Sequence, residues 1–234
     1  MTEPDSEPQL IAGFAQVLLE EAGRAAARSS GAPFHLHAEV AGAAAAAVLL
    51  AGAALEAALS EYATIAAEPG HVGPPLDVTD LDVIRDGKDP LHTRYQKLVS
   101  VYSSATMCQD IEEFKNLRCL VELRNAFAHR RAEFLKLGDW PVGLHNCRGR
   151  IPFFKDGVYD WTSVLLIPNV AQWAVKTARA WLVWLRPLLP DFQGSPLRLM
   201  PAAGALPNQP LELSGAPGAS ARDTHGAVPP EVEE

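Results

Sequence analysis

Between Val40 and Leu55 the chain places 16 consecutive residues without a charge, most of them Ala or Gly. The run is only mildly apolar, and it is shorter than the roughly 20 residues needed to cross a bilayer. It reads as a helix buried in a protein core, inside a longer helix from about Leu36 to Ala66 that has little side-chain bulk to hold neighbours away. Such a helix needs partners with apolar faces. A first helix, from about Pro8 to Arg28, sets Leu10, Phe14, Val17 and Leu18 on one stripe. After a polar loop with an acidic stretch from Asp77 to Asp89, the pair Asp89-Pro90 predicts a third helix, with Asp capping and Pro in the first helical position. It carries Leu91, Tyr95, Leu98, Val99 and Tyr102 toward the core. Asp110-Ile-Glu-Glu113 has the form of a capping box and opens a fourth helix to about Phe134. A fifth follows Pro168, with Val170, Trp173, Trp181, Trp184 and Leu185 on one arc and Lys176, Arg179 and Arg186 opposite. The span 137–167 is irregular, with a small hairpin at Lys155-Asp-Gly-Val158. Strands do not alternate with helices, so the expected fold is all-α, an antiparallel bundle of about five helices.

The expected organisation is a disordered N-terminus over residues 1–7, a helical domain over 8–192, and a Pro/Ala/Gly-rich disordered tail over 193–234. Cys108, Cys119 and Cys147 have no CxxC or metal-type spacing. Their odd number argues against a disulfide framework and fits a reducing cytoplasm. The acidic N-terminus lacks the basic start of a signal peptide. The net charge of −8 is unevenly placed, because the segment 115–155 alone carries a local +6. That segment is either an attractor for phosphate or a solvated basic face.

The fourth helix carries the informative pattern. At 100° per residue from Phe114, the apolar residues Leu117, Leu120, Val121, Leu123, Phe127, Ala128 and Phe134 fill one half of the helix, and Arg124 sits near 280°, in its middle. A guanidinium stays charged and is costly to bury unpaired. Either it has a buried partner or its face opens onto a cleft or a second subunit. Glu56, the only charge between Glu39 and Glu61, is the candidate partner. Asn125 and His129 lie together at the edge of the same face, while Arg124 and His129 are separated by about 140°. Histidine suits proton transfer near neutral pH, and arginine suits clamping a phosphate as charge grows on its oxygens. With Asn125 to orient a reacting group, these residues suffice for RNA cleavage by internal attack of the 2′-hydroxyl.

Leu123-Arg-Asn-Ala-Phe-Ala-His129 resembles the Rx4–6H signature of the HEPN superfamily, including the Asn that often follows the Arg. The helix around Leu49–Tyr62, with its Ala-Leu-Glu centre, is similar to the one that precedes the motif in many members. The resemblance covers roughly residues 8–190. It implies an α-bundle, usually a homodimer, with two motif helices facing each other across a composite site. It also implies metal-independent endoribonuclease activity without a cofactor, in defence or toxin–antitoxin systems with a cognate antitoxin protein. Some members only bind RNA or protein. On this reading Arg124, Asn125 and His129 are catalytic, Glu56 supports them, and Arg118, Arg130, Arg131, Arg148 and Arg150 bind RNA.

Other candidates carry less. His35-Leu-His37 lacks a ligand set beyond Glu39, so no metal site is expected there. His92 and His145 read as surface or loop residues. Trp173, Trp181 and Trp184 read as core or dimer interface in preference to a base-stacking platform. No P-loop, GxGxxG or GxSxG is present.

Overall fold

The computed structural model describes residues 13–30, 38–68, 76–103, 109–129, 140, 142–152, 165–192, 195 and 197. They form helices α1 (Phe14–Ser29), α2 (Ala38–Ala67), α3 (Val78–Asp86), α4 (Leu91–Tyr102), α5 (Glu112–Ala128) and α6 (Pro168–Leu185). A 3-10 turn spans Val142–Cys147, and a second one, Arg186–Leu188, follows α6. No strand occurs among the described residues, and the all-α bundle is the observed fold. The proposed hairpin and the N-terminus fall outside these residues, as does the tail apart from Ser195 and Leu197, both of which are buried.

α2 is the centre of the bundle. It runs for 30 residues, past both ends of the uncharged stretch, and by length and composition it would be long and apolar enough to cross a membrane. Here it packs instead against α1, α6, α3 and α5, with Ala44, Ala47, Ala51, Ala54, Leu55 and Leu59 buried. Its small residues decide how α1 docks. The expected stripe on α1 is displaced in part: Leu18 packs partly buried against the core, but Phe14 and Val17 are 62% and 56% exposed, while Ala15, Leu19, Ala22, Ala26 and Ser29 are buried. An alanine face against an alanine face brings two backbones close, which a row of large side chains on α1 would prevent.

α3 was hidden within the acidic stretch, which is helical rather than loop. Asp77 accepts a hydrogen bond from the Asp80 amide at 2.8 Å and caps the helix, so its charge serves a helix start. At the other end Arg94 of α4 donates to the carbonyls of Ile84 and Arg85, satisfying groups the helix leaves unpaired. α4 begins one position later than expected. Pro90 is its N-cap and Asp89 binds Lys97 at 2.7 Å instead of capping. α5 likewise starts after Ile111 with no side-chain cap, and Asp110 faces Lys115 at 3.8 Å.

The aromatic residues close the core between α4, α5 and α6. Trp181 is fully buried and packs against Tyr95, Phe114 and Trp184, whereas Trp173 and Trp184 are half-buried. Tyr95 donates to the Leu55 carbonyl at 2.7 Å and Tyr62 to the Pro190 carbonyl at 2.9 Å. Each bond satisfies a phenol that burial would otherwise penalise. His92 is a correction to the surface reading: it is half-buried on α4 against Phe114, and burial, then Arg118, lowers its pKa.

One contact joins α1 to α2 through a charge. The Glu61 carboxylate accepts a hydrogen bond from the Ala15 amide at 2.9 Å, serving an N-terminus of α1 that has no cap of its own. Burial raises the Glu61 pKa, and the amide bonds only partly oppose this. A carboxyl raised on folding binds its proton more tightly in the folded state. The resulting stability is present below the unfolded pKa and is lost as pH rises through the folded value. Glu61→Gln keeps an acceptor oxygen and has no charge to desolvate. Denaturant midpoints measured from acid to neutral pH should fall more for the native chain than for Glu61→Gln, and identical profiles would contradict the role assigned to Glu61.

Candidate functional site

α5 places Phe114, Leu117, Leu120, Val121 and Leu123 in the core, as the periodicity predicts. It ends earlier than expected. Ala128 is the last helical residue and is exposed, and His129 is the C-cap with φ −115° and ψ 35°. Phe134, Arg130 and Arg131 lie outside the described residues.

Arg124 resolves its conflict with the apolar arc by leaving it sideways. Its aliphatic stem lies across α2 and its head reaches the rim. There Nη2 meets Glu56 Oε2 at 2.8 Å and Nη1 donates to Asn125 Oδ1 at 3.0 Å. The expected partner is therefore correct, but its setting is not a buried one. The two side chains are 26% and 39% exposed, so water screens the pair and its net contribution is under about 1 kcal/mol.

The stem's path depends on a residue that sequence reasoning passed over. A Cβ built on Gly52 would stand 2.7 Å from Arg124 Cγ and 3.2 Å from its Cβ. Gly52 is buried in α2, one turn before Glu56 on the same face. It is the notch through which the guanidinium reaches that carboxylate. The available signal was this Gly-x-x-x-Glu spacing, which an Ala-rich background conceals.

His129 is exposed, and its backbone amide bonds the Asn125 carbonyl at 2.9 Å. Arg124, Asn125 and Glu56 are thus brought into contact, with His129 one turn beyond. Exposed Arg118 shares a helical strip with Asn125 and His129, and spans about 16 Å to the latter at 1.5 Å per residue.

The remaining basic residues belong to the insert. The segment 142–150 lies antiparallel along α5, on the side opposite the bundle core. Gly143 stands near Glu122, Cys147 lies beside Cys119, and Arg150 Nη1 meets Glu112 Oε2 at 2.5 Å. That bond from Arg150 holds the Glu112 carboxyl below its ordinary range. Arg148 stacks over Trp140 at 5.9 Å, and His145 is exposed with its ring at 2.9 Å from the Trp140 carbonyl. Arg150 is therefore committed to an ion pair, while Arg118 and Arg148 present exposed charge. Among the described residues no group of His, Cys, Asp and Glu has the makings of a metal site. No family model, curated protein or solved structure matches the chain.

Gly52→Ala tests the notch. The new methyl group forces the Arg124 stem to shift, at a cost of about 1–3 kcal/mol. In an Arg124→Ala background most of that obstruction is gone, and the same substitution should become neutral or stabilise by up to about 1 kcal/mol through helix propensity. Urea denaturation of the four chains reads this reversal, and additive effects would remove Gly52 from the site.

Proposed function

We propose that the chain is a metal-independent, HEPN-like endoribonuclease acting as a homodimer. The observation that carries this reading is a guanidinium held by Glu56 and Asn125 at the rim of α2 and α5, one turn before an exposed histidine. Arg124 clamps the scissile phosphate, Asn125 orients it, and Glu56 positions the guanidinium. His129 takes the 2′-hydroxyl proton from one nucleotide. The 2′-oxygen attacks phosphorus, the bond to the 5′-oxygen breaks, and that oxygen takes up a proton. The products are a 2′,3′-cyclic phosphate and a 5′-hydroxyl. Arg118 and Arg148, with Arg130 and Arg131, supply charge along the RNA backbone. In this reading α2 is a core helix rather than a membrane span. The protein works in the cytoplasm, in a defence or toxin–antitoxin setting with a cognate antitoxin.

The separation of Arg124 from His129 around α5 gives the dimer its purpose. Arg124 of one protomer meets His129 of its partner over one phosphate. A second reading draws on the same ion pair. A guanidinium already engaged by a carboxylate also suits a noncatalytic module that binds RNA or protein.

Purified protein incubated with RNA in EDTA separates the two. The expected result is cleavage to cyclic-phosphate ends, abolished by His129→Ala with little change in thermal midpoint, because the exposed imidazole leaves no cavity. Arg124→Ala should be equally inactive. Mixing the two inactive variants under subunit exchange should restore activity through one intact composite site per mixed dimer. A strictly monomeric chain at micromolar concentration, or full turnover by folded His129→Ala, would reject the nuclease reading in this form.

A further inference from the structure

Away from the Arg124 cluster, two nucleophilic side chains are packed against each other. Cys119 on α5 and Cys147 at the end of the 3-10 turn are both buried free thiols, close enough that each shifts the titration of the other. They lie between two other contacts that set the same antiparallel register, Gly143 near Glu122 and Arg150 on Glu112. Buried Trp140, Leu144 and Ile151 hold the segment in place. Two buried thiols that packed elements bring together between fixed flanking contacts are the kind of pair that a disulfide, at roughly 2.05 Å, can join.

We propose that Cys119 and Cys147 form an intrachain dithiol site that a peroxide oxidises to a disulfide, joining the 3-10 segment covalently to α5. Cys119 is the attacking sulfur. The Cys147 thiol donates to it and Arg150 and Arg118 stand nearby, so that together they hold its pKa below the ordinary thiol value against the effect of burial and of Glu122. Cys147 is pushed the other way, first by that same hydrogen bond and then by burial. The Cys119 thiolate attacks one peroxide oxygen, the O–O bond breaks, and the departing hydroxide takes a proton to leave as water. Cys119 is then a sulfenic acid. Cys147 attacks its sulfur, loses its proton, and the S–O bond breaks to release a second water. Two thiols are oxidised by two electrons and one peroxide is reduced to two waters. A dithiol reductant reverses the bond by exchange. The starting form of the pair is the dithiol, and the site is independent of the nuclease reading.

The test uses the full chain, reduced, then treated with hydrogen peroxide. Remaining thiols are alkylated under denaturing conditions and the chain is digested without reductant. The expected product is a Cys119–Cys147 linked peptide, two hydrogens lighter than the sum of its parts and absent after dithiothreitol. The Cys108→Ser chain should give the same product. The oxidised protein should melt at a higher temperature than the reduced protein, because a native cross-link restricts the unfolded chain. In Cys147→Ser, a dione probe should trap a sulfenic acid at Cys119. A link through Cys108, a link between chains, or both thiols fully alkylated after peroxide would overturn the proposal, and so would an oxidised form that melts lower. The native chain alone decides the matter if a serine variant fails to fold.

Discussion

The lack of side-chain bulk along α2 is the constraint on which the other contacts depend. Alanines at Ala44, Ala47, Ala51 and Ala54 let neighbouring helices approach closely. Burying small residues yields little transfer free energy each, so such a helix is stable only when surrounded. The larger aromatic residues Tyr95, Phe114 and Trp181 then fill the space between α4, α5 and α6, and the Tyr95 hydroxyl reaches back to the Leu55 carbonyl of α2.

Close approach also sets the chemistry at the rim. Because Gly52 has no side chain, the Arg124 stem lies on α2 and delivers its guanidinium to Glu56 and Asn125. The ion pair adds little to stability at this exposure. Its consequence is orientation, since two acceptors on different helices leave a planar guanidinium few directions to point. An anion approaching that rim competes with Glu56 for a donor that is already aimed.

α5 is contacted on more sides than its periodicity suggests. Its apolar arc faces the bundle, while the 142–150 segment packs along Glu112, Cys119 and Glu122. Cys119 falls in a sector that periodicity assigns to solvent, and it is buried only because a distant stretch of chain covers it. The strip left for solvent is the one bearing Arg118, half-buried Asn125 and His129.

The sequence by itself determined the all-α class, the central uncharged helix and the core face of α5, and it named Glu56 as the candidate partner of Arg124 while leaving a cleft or a second subunit open. These are local periodicities, or the consequence of a charge stranded on an apolar arc, and each is legible within one helix or in the one charge available on another. Tertiary structure decided the rest. Which face of α1 is buried depended on how closely α2 admits a neighbour, and Ala15 and Ala22 displaced Phe14 and Val17 from the contact. α3 escaped notice because its Asp77 cap looks like part of a charge run until the chain turns there. The role of Gly52, the cover over Cys119 and the half-exposed setting of the ion pair each require two segments far apart in sequence to meet. A one-dimensional pattern carries the angle of a side chain about its own helix axis, but not the distance to the helix beside it.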